Sequence, residues 1–325
     1  MPPSSAARLV VGIDLGGTNM QIGVVDAANK ITGRTKKKTK ADEGQNAVID
    51  RLVSGIEEAC EEAHVKVSDL DAVGIGAPGG IDHKRGIVME APNLRWNDVP
   101  LAKILSDRLK GRPVVVDNDV NVAVYGENKL GAGNGAEDVL GVWVGTGVGG
   151  GLVLNGRLYQ GGFGTAGEIG HTVLFPGAAL GNRKLEENCS RKFIALRLAR
   201  LIRANNPSML TEIAGGDDKI ESVGAGALGE AYRKGDELVR TVVDESADLM
   251  GIAIAHSVTV LALPLVILGG GLTEALGDPY VKRVQASARA NAFPRRCKDV
   301  KVVATKLEDD AGLLGAALLA REAVG

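Results

Sequence analysis

The chain opens on an unbroken apolar run, Leu9-Val10-Val11-Gly12-Ile13, the pattern of a strand buried on both faces. Asp14-Leu15-Gly16-Gly17-Thr18-Asn19 follows, and Met20 to Val25 reads as a second strand. The spacing predicts a hairpin closed by a glycine turn. Further strands are predicted at Ile31-Thr32, Ala72 to Gly76 and Val114 to Val116. Apolar positions at Val48, Leu52, Val53, Ile56 and Ala59 recur at helical spacing and predict a helix over 46–63. Val120, Ala123 and Val124 predict another that starts near Asp119. The opening pattern then returns: Val139 to Val144 is a strand, Gly145 to Gly151 a glycine turn, and Leu152-Val153-Leu154 a strand. Asn155-Gly156 closes a tight turn before Arg157-Leu158-Tyr159. Each half of the chain thus begins with strand, glycine-rich turn and strand, a repeat of structure rather than of residue identity. Beyond Tyr159 the chain reads as mostly helical to Ala262. Strands follow at Leu265 to Leu268, ahead of Gly269-Gly270-Gly271, and at Lys301 to Ala304, with a last helix over 311–323.

Composition changes this picture in three ways. A length of 325 residues exceeds what one core usually supports, so two domains are expected. The 45 glycines are about twice the usual share, and they stand in short groups beside apolar runs. Such groups mark turns where backbone approaches something closely. A net charge of −2 gives no reason to expect a nucleic acid or an anionic membrane as partner, and Lys36-Lys37-Lys38 reads as a solvated face. No apolar stretch reaches the roughly 18 residues of a membrane span, and Met1 to Arg8 lacks the apolar core of a signal peptide. The three separated cysteines, Cys60, Cys189 and Cys297, fit a reducing cytoplasm without disulfides.

Chemistry is suggested at four places. Gly145-x-Gly147-x-x-Gly150 matches the dinucleotide fingerprint in letters only, because a strand follows it where that fingerprint needs a helix. A glycine turn between strands can still cradle phosphate through successive backbone N–H groups, or it can be a plain hairpin. No Gly-Lys dipeptide occurs, so a Walker loop is absent. A phosphate site here would rely on backbone donors, on Thr18 or Thr146, and on a metal held by a carboxylate. Asp14, ending the first strand, is placed for that role or for stabilising its own turn. Asp117-Asn118-Asp119 joins a buried strand to a helix start. A carboxylate there is favoured in its ionised form and can accept a proton from a hydroxyl, or it can simply cap the helix. Glu168 and His171, three apart, can share one face and bind hydroxyls or a metal.

Seven motifs in order resemble the ROK family of sugar kinases and sugar-sensing repressors, over nearly the whole chain. They are Asp14-Leu-Gly-Gly-Thr-Asn19, Gly76-Ala-Pro-Gly-Gly80, Asn118-Asp-Val-Asn121 with Gly126-Glu127, and Gly145-Thr-Gly-Val-Gly-Gly-Gly151. Ala166-Gly-Glu-Ile-Gly-His171, Gly269-Gly-Gly271 and Asp309-Asp-Ala-Gly-Leu-Leu-Gly-Ala316 complete the set.

The resemblance implies an α/β protein of the actin-like ATPase (ribonuclease H-like) fold, with two α/β domains and an interdomain cleft. One domain would take residues 1–121 plus 310–325 and the larger one 122–309. By motif position, Asp119 is the catalytic base and also touches the sugar. Gly80, Asn93, Asn118, Glu168, His171 and Glu186 would hold it too. ATP would lie on Gly16, Gly17, Thr18, Asn19, Gly145, Thr146, Gly147, Gly269, Gly270 and Gly271, with Mg2+ held by Asp14 through water. The implied reaction is ATP-dependent phosphorylation of the 6-hydroxyl of glucose or a related hexose, in a cytoplasmic homodimer. An N-acetylglucosamine or N-acetylmannosamine kinase and a polyphosphate-using kinase are the alternatives among enzymes. A repressor would need a DNA-binding helix-turn-helix ahead of the fold, and only eight residues precede the first strand. A catalytically dead sugar-binding module is the remaining reading.

The chain departs from the family at one place. Zinc-containing members carry Cys-x-Cys-Gly-x-x-Gly-Cys-x-Glu after the Gly-His pair. Here Leu180-Gly-Asn-Arg-Lys-Leu-Glu-Glu-Asn-Cys-Ser190 offers Cys189 alone, so no zinc site is expected. The stretch is one residue short. Glu186 takes the sugar-binding position when read back from Ser190, and Glu187 does when read forward from Gly181.

Overall fold

The computed structural model describes residues 9–325, which form two compact units. The first comprises 9–131, Gln160–Ala166 and Asp309–Gly325, and the second Ala132–Tyr159 and Gly167–Glu308. The strands are β1 (Leu9–Leu15), β2 (Asn19–Val25), β3 (Ile31–Lys38), β4 (Leu70–Ala77), β5 (Gly80–Asp82), β6 (Ile87–Ala91), β7 (Trp96–Val99), β8 (Val114–Asn118), β9 (Val139–Val144), β10 (Val148–Leu154), β11 (Arg157–Tyr159), β12 (Leu265–Gly269) and β13 (Lys301–Ala304). The helices are α1 (Gln45–Glu62), α2 (Leu101–Arg108), α3 (Asp119–Leu130), α4 (Glu186–Cys189), α5 (Arg191–Arg203), α6 (Leu210–Ala214), α7 (Ala225–Lys234), α8 (Glu237–Leu261), α9 (Gly271–Leu276), α10 (Asp278–Asn291) and α11 (Ala311–Ala323).

The two halves repeat one topology. In the first unit the sheet order is β3-β2-β1-β4-β8; in the second it is β11-β10-β9-β12-β13. Each sheet is an antiparallel three-strand meander extended by two parallel strands. The predicted strand–turn–strand repeat is therefore a repeat of whole sheets. Each has its own core. Ile13, Ile22, Leu52, Ile56, Val73 and Ile75 close the first. Val142, Val144, Leu198, Val243, Met250 and Leu268 lie in the second.

Glycine placement decides how α11 packs. Gly12, Gly23 and Gly74 pair across β1, β2 and β4 and form one row. A Cβ on Gly12 would collide with the Leu313 carbonyl, and one on Gly74 with the Ala316 carbonyl. The helix backbone thus lies directly on the sheet, closer than any side chain would permit.

Two expectations need correction, and several elements had no counterpart in the sequence pattern. The second glycine turn is confined to 145–147, because Gly149, Gly150 and Gly151 belong to β10 and extend its ladder with β9. Residues 160–185 are not helical: they hold loops and one short 3-10 turn over Ile169–His171. The three-stranded sheet β5-β6-β7 was not predicted, nor were α2 and α10. Strands of three to five residues holding Gly80, Glu90 and Asp98 give no clean alternation.

Candidate active site

In the first unit, β1, β4 and β8 run parallel and finish at one level. Asp14 pairs with Gly76, and Gly76 with Asp117. The carboxyl ends of parallel strands are where α/β sheets bind ligands. Gly76 lets the start of α3 pack onto this end, since a Cβ there would press on Asp119 Cα and collide with Val122. Asp14 sits under the start of α11, where the bare Gly312 leaves room for its carboxylate. Burial pushes the Asp14 carboxyl up to about 7, the charges of Asp119 and Asp309 push the same way, and Lys36 opposes them. Lys36 shares the row, because Asp14 pairs with Gln21 and Gln21 with Lys36.

The first glycine turn is fixed from behind. Gly16 N–H donates to the Asn19 carbonyl at 2.9 Å, and the buried Thr39 donates its hydroxyl to the Gly16 carbonyl at 2.6 Å. Thr39 N–H also donates to the Thr18 carbonyl at 2.8 Å. The Thr18 residue is left exposed, and Asn93 packs its Cβ against Gly17.

The Asp117-Asn118-Asp119 segment divides three tasks. Asn118 is the cap: its Oδ1 accepts from Val120 N at 2.9 Å and Asn121 N at 3.1 Å. Its amide donates to the Gly79 carbonyl at 3.1 Å, tying the loop before Gly80 to the start of α3. One amide N–H of Asn118 is left over for a hydroxyl. Asp119 is half-buried in the first turn of α3. Asp117, 4% exposed, accepts from Asn118 N at 2.7 Å, Asn121 Nδ2 at 2.9 Å and Gln160 Nε2 at 2.7 Å. Neither Gln160 nor Thr39 carried a signal in the sequence, because each is a single polar residue outside any motif.

In the second unit, Glu168 precedes the 3-10 turn and His171 ends it, with Oε2 and Nε2 3.9 Å apart and about half of each side chain exposed. Lys184 Nζ lies 3.3 Å from His171 Nδ1, on the far side of the ring. Glu186 and Glu187 face different ways. Glu187 accepts from Arg183 N at 2.6 Å and Lys184 N at 2.9 Å, and these bonds hold its carboxyl below the usual range. Glu186 accepts from Val148 N at 2.9 Å, just past the glycine turn, and its carboxylate fills the space where Gly147 would carry a Cβ.

The second glycine turn has a further neighbour that was not anticipated. Arg191 N donates to the Gly145 carbonyl at 2.9 Å, and Arg191 Nη2 to Thr146 Oγ1 at 2.8 Å. In the same unit Gly269 ends β12 and Gly270, at φ 86°, turns the chain into α9. Among the described residues no group of three His, Cys, Asp or Glu could hold a metal ion. Cys189 is fully buried, with its thiol on the Ser246 carbonyl and pushed up to about 12 by that burial. No described helix is long and apolar enough to cross a membrane.

Comparison with known proteins places the chain in one family. The ROK family model matches residues 10–323. A glucokinase of Halalkalibacterium halodurans is 33% identical over 97% of this chain and 96% of its own length. A glucokinase of Thermotoga maritima is 32% identical over 97% of this chain and 98% of its own. Among solved structures, a ROK family glucokinase from Streptomyces griseus, in complex with glucose and AMPPNP, matches with a TM-score of 0.81. It is 32% identical and is covered over 99% of its length by 97% of this chain. The duplicated sheets are those of the actin-like ATPase fold shared by these sugar kinases. With the family model spanning nearly every described residue, the chain is a member of the ROK family.

Proposed function

We propose that this protein is an ATP-dependent hexose kinase that phosphorylates the 6-hydroxyl of glucose or a related hexose. The observation that carries the reading is the convergence of Asp14 and Asp119 in the first unit. A carboxylate suited to a phosphate-bound cation lies within electrostatic reach of a carboxylate suited to a hydroxyl proton. In the reaction the sugar oxygen bonds to the γ-phosphorus as the bond to the ADP oxygen breaks, and the hydroxyl proton passes to Asp119. Positioning and electrostatics supply most of the rate. The glycine turns at Gly16–Asn19 and Gly145–Gly147 receive the nucleotide phosphates, and Gly269–Gly271 its adenosine side. Asn93, Asn118, Glu168, His171 and Glu186 hold sugar hydroxyls beside Gly80.

Asp14 fits a hard divalent cation. It is repelled by Asp119 and Asp309, and Mg2+ takes one or two carboxylates and completes its shell with water and phosphate oxygens. Bound there, Mg2+ would neutralise charge on the phosphates. Cytoplasmic location and a homodimeric assembly belong to the same reading, on the cysteine usage and the family resemblance.

The test is product analysis over a panel of glucose, mannose, N-acetylglucosamine and N-acetylmannosamine, with ATP or polyphosphate as donor. We expect the 6-phosphate of glucose or of its close relative, with ADP released in equal amount. Turnover confined to the N-acetyl sugars, or to polyphosphate, would refute this assignment.

A further inference from the structure

We propose that Arg191 binds the nucleotide phosphates at the second glycine turn, supplying a fixed cation to a turn that has no lysine. The inference rests on ATP being the donor.

Three hydrogen bonds hold Arg191 in place. Its N–H donates to the Gly145 carbonyl at 2.9 Å, Nη2 to Thr146 Oγ1 at 2.8 Å and Nη1 to the Val223 carbonyl at 2.8 Å. The backbone bond sets where the residue leaves the turn, and the two side-chain bonds fix the plane of the guanidinium. Both side-chain acceptors are neutral. On the same helix, Arg197 pairs with Glu245 and Arg203 with Glu221, whereas Arg191 has no carboxylate partner among the described residues. Two of the five guanidinium N–H groups are engaged, and three are left for an incoming acceptor. The backbone N–H groups of Thr146 and Gly147 also have no acceptor among the described residues.

Peptide donors and a full positive charge therefore meet on one exposed turn. Peptide dipoles give an anion only partial charges. A planar guanidinium adds a full one, in a fork that matches two phosphate oxygens. The Glu186 carboxylate sits on Val148 N and against Gly147, and Arg191 offsets its repulsion of a phosphate.

The test is calorimetric binding of AMP, ADP, ATP and glucose to the wild-type protein, Arg191→Gln and Arg191→Lys. Gln removes the charge but keeps a side-chain amide donor. Loss of a charge-assisted contact predicts roughly a tenfold or larger rise in Kd for ATP with Arg191→Gln. The effect should shrink from ATP to AMP, glucose affinity should stay within about twofold, and Arg191→Lys should recover part of the loss. KM for ATP should rise while KM for the hexose holds. Unchanged ATP affinity in Arg191→Gln, or an equal loss for AMP and ATP, would overturn the proposal. Failure of the wild-type protein to bind ATP would instead overturn the donor reading on which it rests.

Discussion

Asp117 and Asp119 stand two residues apart and have opposite surroundings. Three N–H donors surround the Asp117 carboxylate in the interior, whereas Asp119 opens α3. The tripeptide alone does not distinguish them, because the donor that closes off Asp117 comes from Gln160, 43 residues away. Thr39 and Arg191 escaped notice for the same reason: each acts on a glycine turn across a long gap in sequence. Cysteine chemistry follows from burial in the same way. Cys60 and Cys189, 2% and 0% exposed, have thiols pushed up to about 11 and about 12 by burial. In the unfolded chain both ionise near pH 9.0. Their contribution to stability is full below that pH and is lost as pH rises towards the folded values. Melting temperature should fall between pH 9 and 11, and Cys60→Ala/Cys189→Ala should melt lower but with a shallower dependence. An identical slope in the double variant would contradict this.

The β8–α3 junction was the most legible element. An apolar strand, a polar tripeptide and a helical spacing together predict a strand running into a capped helix, and the cap is Asn118. The sheet β5-β6-β7 was not legible, since its short strands mix apolar and charged residues without a period. The α11–sheet contact lay between these cases. Glycine clusters signalled close approach, but only the register shows Gly12, Gly23 and Gly74 in one row under the helix. Gly74→Ala places a methyl group against the Ala316 carbonyl, which neither backbone can avoid. Overpacking of this kind typically costs about 1–3 kcal/mol, so the unfolding free energy from urea titration should fall by that amount and the midpoint should drop with it. Gly44→Ala makes a useful comparison, because its Cβ position is open and its φ of 94° leaves only backbone strain. A Gly74→Ala variant as stable as wild type would mean that α11 does not lie on the sheet.

At the scale of the molecule, two sheets of the same order each place a glycine turn between their first two strands. The repeated pattern was readable because buried strands and glycine turns are local signals. Which side chains surround the turns was not, since those contacts are made by residues far apart in the chain. The central claim is that this pair of turns serves a phosphoryl transfer whose proton goes to Asp119. Asn at this position keeps the size of the side chain and its hydrogen bonding to Val120 N, but cannot take a proton. The most direct measurement is glucose-dependent ADP release by wild type and Asp119→Asn, with glucose and ATP affinities measured alongside. We predict a fall in kcat of roughly 10²–10⁴-fold, with both affinities and the melting temperature nearly unchanged. A variant that keeps more than about a tenth of the wild-type kcat would contradict the account.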